Sequence, residues 1–316
     1  MRPRRLRASS VSAHHEPVLL RETLAFLRPR PGLFLDATLG DGGHSEALLL
    51  AAPELRLLGS DRDPAALAFS GQRLARFGDR VTLVHGTFRE LPRAHAVQGG
   101  ELLAGALFDY GLSSRQIDDP QRGISYRHDG PLDQRMDPSS GVTLAERLAT
   151  AEEAEVAEVL RSYGDVGRSR PLARALVAAA RAGQLETTRQ LVLIAGRVLR
   201  DSRPGALAPV FQALRMWVND EMADLEAGLS WLPEAMADGG VVVTLAYHSG
   251  EDRRVKHALR GAARPVSRRL PPAADEAVSG PWEELTRKVV IASEDEQNTN
   301  PRARSARLRA FRRKPR

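Results

Sequence analysis

The sequence predicts an α/β fold: a parallel sheet with crossover helices, interrupted by an all-helical insertion. Three observations carry this. Short apolar runs alternate with helical patterns through the first third of the chain. After Asp109 the alternation stops, and helical patterns follow one another with no strand between them. Sheet character then returns at Gly240–Tyr247.

In chain order, Phe34–Asp36 is a strand that ends in an acid. A glycine-rich turn (Gly40, Gly42, Gly43) and a helix from about His44 follow it. Leu55–Asp61 is the second strand. Pro64 suits the first turn of a helix running to about Phe77. Arg80–His85 and Gly105–Asp109 are the third and fourth strands, and the rhythm implies right-handed crossovers. Gly111 to Gly141 is rich in Gly, Asp, Ser and Pro and reads as irregular. Helices are predicted over Glu152–Tyr163, Arg168–Ala182, Thr187–Leu199 and Val210–Leu229. Residues 262–281 read as a loop, and Leu285–Ile291 as a last strand.

Composition bounds the function. The chain has 316 residues, 42% of them hydrophobic, enough for one large or two ordinary domains. It has no cysteine, which excludes a disulfide framework, a thiolate metal site and a cysteine nucleophile and fits a cytoplasmic setting. No signal-peptide core follows the basic N-terminus, and no apolar run is long enough for a membrane. The net charge of +6 is unevenly spread. Residues 1–7 hold four arginines, and 301–316 hold seven arginines and one lysine, with no acid in either stretch. Without those twelve cations, 34 basic residues face 40 acidic ones. Basic ends on an acidic body suit a polyanion, nucleic acid above all, or else are solvated tails.

The glycine turn is a nucleotide-type cradle. A dinucleotide site wants G-x-G-x-x-G, but here Ser45 takes the third glycine's place, and Asp41 would repel a pyrophosphate. Asp36 and Asp41 are easier to explain beside the sulfonium cation of S-adenosylmethionine (SAM). Asp61 ends the second strand, where a carboxylate can accept from both ribose hydroxyls; Asp63 fits the helix cap better, which leaves Asp61 for the ligand. Phe88 is a candidate to pack on an adenine, or a core residue. Asp109 ends the fourth strand, where a carboxylate could orient or deprotonate an amine, or hold a turn. His44 and His248 have no second ligand at metal spacing, so no metal site is predicted.

Taken together, these motifs resemble the bacterial small-subunit ribosomal RNA cytosine-N4 methyltransferase family. The resemblance is carried by His15-Glu-Pro-Val-Leu-Leu20, Asp36-Ala-Thr-Leu-Gly-Asp-Gly-Gly-His-Ser45, Asp61-Arg-Asp-Pro64, Gln116 to Tyr126, Asp129-Gly-Pro-Leu-Asp133 with Arg135-Met-Asp-Pro138, Phe211-Gln-Ala-Leu-Arg215, His248-Ser249 and Asn300-Pro-Arg-Ala-Arg-Ser305. It implies a Rossmann-like class I SAM-dependent methyltransferase domain with an inserted all-α domain. The corresponding boundaries are 13–117 and 216–316 for the methyltransferase domain, 118–215 for a substrate-recognising insert, and 1–12 for a disordered basic arm. It implies methyl transfer to the exocyclic amine of a cytidine in the decoding region of the small-subunit RNA. SAM contacts are implied at Gly42, Gly43, His44, Asp61, Phe88, Asp109 and Gln116. Asp109 is the catalytic candidate, and Tyr110 a candidate to stack on the base. Arg302, Arg304, Arg307 and Arg309 are candidates for RNA phosphates, or parts of a solvated basic helix. The chain departs from the family pattern at Tyr110, Arg115, Gln134, Pro209 and Gly250, and Pro209 would tend to start a helix. Two alternatives stay open at this point: a methyltransferase for DNA or protein, and a non-catalytic RNA-binding or assembly factor on the same fold. The oligomeric state is not legible.

Overall fold

A computed structural model describes residues 17–260 and 280–316. The arm 1–12, His15, Glu16 and all but the last two residues of the loop 262–281 lie outside the described residues. Among the described residues, seven strands form one sheet: β1 (Gly32–Asp36), β2 (Leu55–Asp61), β3 (Val81–His85), β4 (Leu103–Asp109), β5 (Met236–Ala246), β6 (Trp282–Glu284) and β7 (Arg307–Arg313). Their order is β3-β2-β1-β4-β5-β7-β6. The first five are parallel, and β7 runs antiparallel between β5 and β6. The order reverses between β1 and β4, so the crossovers on either side lead away from each other and leave the carboxyl ends of these two strands uncovered.

The central strands are apolar throughout because both faces are covered. Leu35, Phe108, Val242 and Phe311 belong to one core, and Phe34, Leu57, Leu107, Val243 and Leu308 to the opposite one. A third core lies within the helical segment. Leu148, Leu160, Leu172, Leu176, Leu191 and Leu214 meet there, contributed by helices Leu144–Thr150, Glu153–Gly164, Ser169–Arg181, Thr188–Leu199 and Pro204–Val218. Thr143 and Thr187 each start a helix with a reciprocal capping box, to Glu146 and Gln190. No helix among the described residues is long and apolar enough to cross a membrane.

Four sequence expectations need correction. The helix predicted over Val210–Leu229 is two helices, Pro204–Val218 and Glu221–Ala235, broken where Asp220 turns left-handed at φ 50°. Pro209 does not start a helix but lies inside the first of these; the helix starts instead at Pro204, which suits the first turn. Leu285–Ile291 is not a strand. Its ends make backbone bonds to β7, Leu285 to Ala310 at 2.9 Å and Val290 to Leu308 at 3.0 and 2.9 Å, but between them the Thr286 side-chain oxygen takes the Ala310 N–H at 3.1 Å and Val290 makes an isolated bridge. The C-terminal basic stretch is not a solvated helix. Its first part is a short 3-10 turn, Pro301–Ser305, and the rest is β7. Among the described residues, the helices Leu20–Leu27, Leu91–Val97, Ser114–Asp118, Leu144–Thr150, Ser249–Arg260 and Glu294–Thr299 were not predicted.

Gly105 on β4 sits opposite Phe34 on β1, and a Cβ there would come within 2.3 Å of the Phe34 ring. Gly105→Ala is therefore expected to lose about 1–3 kcal/mol of stability through overpacking. Urea unfolding would check this, and an unchanged midpoint would contradict the close approach.

Candidate active site

The opening left by the strand-order reversal is a cavity with about 890 Å³ of empty space, open to solvent on one side. The ends of β1, β2 and β4 form its floor through Thr38, Asp61 and Asp109. Phe88 and Gln116 stand at its sides, and Met222 and Glu251 come from the later helices. Five lining residues are acids (Asp61, Asp109, Glu221, Asp224, Glu251) and one, Arg62, is a base. Such a lining favours a cation and opposes a pyrophosphate.

Each acid is held. Asp61 accepts the N–H of Gly40 at 2.8 Å and that of Asp63 at 2.8 Å. Gly40 can make its bond because its backbone is left-handed, at φ 50°. Asp63 caps the next helix through Ala65 and also binds Gln116 at 2.9 Å and Arg122 at 2.6 Å. The cap on Asp63 is the one the sequence suggested. Burial raises Asp61 to about 6, opposed by the two backbone N–H groups. Asp224 accepts the N–H groups of Phe88 and Arg89, at 3.2 and 3.0 Å, and so fixes the Phe88 turn. Glu251 accepts the N–H groups of Tyr247 and His248, at 2.8 and 3.3 Å. His248 Nε2 lies 3.0 Å from Glu251 Oε1 but without the alignment of a hydrogen bond.

Asp109 has the most unusual surroundings. Its N–H donates to Thr38 Oγ1 at 2.6 Å, and its carboxylate accepts the hydroxyl of Tyr247 at 2.8 Å. Behind it, His44 Nδ1 is 3.8 Å away. His44 Nε2 is 3.0 Å from the carbonyl of Val18. A carbonyl can only accept, so Nε2 carries the proton and Nδ1 presents a lone pair to Asp109. Burial holds His44 neutral, with its value pushed down to about 4. Burial raises Asp109 to about 7; the Tyr247 hydroxyl pulls it down, and Asp36 and Glu251 push it up. The group therefore changes protonation near neutral pH, which suits a proton acceptor.

The sequence candidates divide into two sets. Asp61, Phe88, Asp109 and Gln116 line the cavity. Gly42, Gly43 and His44 stand behind its wall: the open side of Gly42 faces Ser70, that of Gly43 faces Pro17, and the His44 ring is taken by Val18. Asp36 and Asp41 are not beside the ligand space either. Asp36 is buried against Ser45 Oγ at 2.6 Å and the Thr38 N–H at 3.1 Å, and burial raises it to about 6. Asp41 pairs with Arg115, whose guanidinium lies over the Phe69 ring. Tyr110 also lines the cavity. It is buried at 4% exposure, packed edge-on against Phe88 and close to Phe108. Gln134 is fully buried in the left-handed region, with its side-chain amide unpartnered.

The four C-terminal arginines also separate. Arg304 and Arg307 are exposed and Arg302 half-buried, pairing with Asp118. Arg309 is not available to RNA. It is buried on β7 and paired with Asp252 at 2.5 Å and Glu284 at 3.3 Å. Sequence reading missed Tyr247, Asp224 and Glu251, which come from segments far along the chain from the glycine turn.

Residues 12–314 match the MraW methylase family. The chain belongs to this family. Members similar to it include the ribosomal RNA small subunit methyltransferase H of Sorangium cellulosum, 46% identical over 303 residues, which covers 95% of this chain and 90% of the relative. The same-named proteins of Anaeromyxobacter sp. and Heliobacterium modesticaldum are 44% and 42% identical, covering 95% and 94% of this chain and 98% and 97% of theirs. Membership in a methylase family removes the reading of the fold as a non-catalytic scaffold.

Two predictions follow from this geometry. In the ligand-free protein, the Asp109 carboxyl carbon followed by NMR should titrate near pH 7. Tyr247→Phe removes a hydrogen bond that favours the charged form, so the midpoint should move upward; a midpoint that stays or falls would exclude that bond. Arg309→Leu should destabilise the protein by about 1–3 kcal/mol, because it leaves the half-buried Asp252 and Glu284 without their buried partner. A thermal melt and an RNA-binding assay on the refolded variant separate this structural role from a loss of RNA contact.

Proposed function

We propose that this protein is a SAM-dependent methyltransferase acting on the exocyclic N4 amine of a cytidine in small-subunit ribosomal RNA. The observation that carries the chemistry is Asp109, held at a strand end by Tyr247 and Thr38, in a cavity whose lining acids outnumber its bases five to one. The RNA substrate rests on the names of the family members, and an rRNA substrate supports a cytoplasmic setting.

The residues present fit SAM. Asp61 has both oxygens fixed by backbone N–H groups and retains lone pairs toward the cavity, where ribose hydroxyls can donate. Phe88 offers an apolar wall for the adenine, and its turn is locked by Asp224. The acidic lining suits a sulfonium and an ammonium group. Bound here, SAM supplies an electrophilic methyl group. Gly42, Gly43 and His44 act from behind the wall: the glycines shape the turn, and His44 ties it to the carbonyl of Val18.

A cytosine amine is a weak nucleophile because its lone pair is delocalised into the ring. Orientation of that amine supplies much of the rate. Asp109 accepts a hydrogen bond from it and takes its proton as positive charge develops on nitrogen. The target base leaves its stack to reach the cavity. Residues 118–215 are the substrate-recognising insert, and Arg302, Arg304 and Arg307 contact RNA phosphates.

Mass spectrometry of small-subunit RNA from cells with and without the gene tests the reading, with loss of one N4-methylcytidine as the expected result. Asp109→Asn should lower turnover by about 10²–10⁴-fold while SAM binding, measured by calorimetry, weakens far less. Full turnover in that variant would remove Asp109 from the reaction.

A further inference from the structure

A second concavity adjoins the first. It runs between the helical segment and the Asn300–Arg302 turn, and its walls include Tyr126, Arg127, Phe211, Gln212, Arg215 and Arg302. Leu112 belongs to both cavities, and so does one ion pair. Arg215 faces the groove, Glu221 faces the cavity, and they bond at 2.7 and 2.8 Å with both side chains buried. The partition between the two spaces is therefore a buried two-pronged salt bridge and a leucine.

Opposite charge lies on either side of that partition. The cavity has five acids to one base, whereas the groove has three arginines (Arg127, Arg215, Arg302) to one acid, Asp118. Arg215 and Arg302 are engaged with Glu221 and Asp118, but Arg127 is exposed and its guanidinium has no carboxylate within reach among the described residues. Beside it, Tyr126 is half-buried and held edge-on by Phe211 at 5.9 Å, which fixes a polar aromatic ring at the groove surface. A free guanidinium next to a fixed aromatic ring is the pair that single-stranded nucleic acid uses, one for a phosphate and one for a base.

We propose that this groove holds the RNA strand next to the target cytidine, with Arg127 on a phosphate and Tyr126 against a neighbouring base. The inference rests on the rRNA reading above and extends it to a second site. A strand in the groove lies beside the acidic cavity at Leu112, so a base turned past that residue reaches Asp109 while its neighbours stay outside. The acidic lining repels the phosphates that the groove attracts, which keeps the backbone out of the cavity.

The test uses the full chain and small ribosomal subunits from cells lacking the gene. Arg127→Glu should raise the KM for subunits by about tenfold. Arg127→Ala should reduce the salt slope of subunit binding by about 0.7, the value for one phosphate on a single strand. Calorimetry with SAM and a thermal melt report whether either variant is folded. Tyr126→Ala should weaken subunit binding by about 5–100-fold, as loss of one stacked base does, whereas Tyr126→Phe should retain it. Wild-type KM and salt slope in folded Arg127 variants would overturn the groove alone. Failure of the wild-type protein to methylate the subunits would overturn both the groove and the rRNA reading.

Discussion

Everything functional in this molecule depends on one topological constraint, the reversal of strand order between β1 and β4. Crossovers on the β1 side lead one way along the sheet and those on the β4 side the other, which leaves an opening at the ends of these two strands. Backbone groups and side chains there have lost their sheet partners and must find others. Thr38 takes the Asp109 N–H, Asp61 takes that of Gly40, and Tyr247 reaches from the end of β5 to the Asp109 carboxylate. The cavity is thus built from groups that satisfy one another around an opening, and its acidity is a consequence of how those ends are closed.

The helical segment is fastened to this frame by polar bonds as well as by packing. Asp63 holds Gln116 and Arg122, Arg122 reaches the carbonyl of Met136 at 2.6 Å, and Asn219 takes the Met136 N–H at 2.7 Å while donating to Gln134 and Arg215. Most of these atoms are buried, so each lost bond leaves a desolvated partner behind. Specific geometry between insert and sheet is the return, since such bonds hold at one relative placement only. This fastening passes directly through the wall that separates the acidic cavity from the basic groove.

The parts of the fold written in local pattern were legible. The first four strands follow from apolar runs that end in turns, and five helices from periodicity and caps such as Thr187. Asp61 and Asp109 were legible as site residues because the carboxyl end of a parallel strand is where such sheets bind ligands. What failed was context. Arg309 reads as one more cation in a basic tail until β7 places it beside Asp252 and Glu284. Asp41 reads as a ligand for a cation until Arg115, far along the chain, neutralises it. Pro209 reads as a helix start, but Pro204 already begins that helix. The break at Asp220 follows from a non-glycine residue in the left-handed region, which no periodicity announces. Tyr247 and Asp224 serve the site by long-range bonds that have no signature in their own neighbourhoods.

The placement of β7 also bears on how the chain comes to its final form. Residues 307–313 pair with β5 on one side and β6 on the other, so the strand that joins these two is the latest of the seven in chain order. A polypeptide emerging from the ribosome presents β5 with one bare, strongly apolar edge until those residues arrive. Such an edge invites pairing with other chains. Synthesis halted before residue 307 therefore yields a product with an open sheet, which is a natural target for chaperones and proteases.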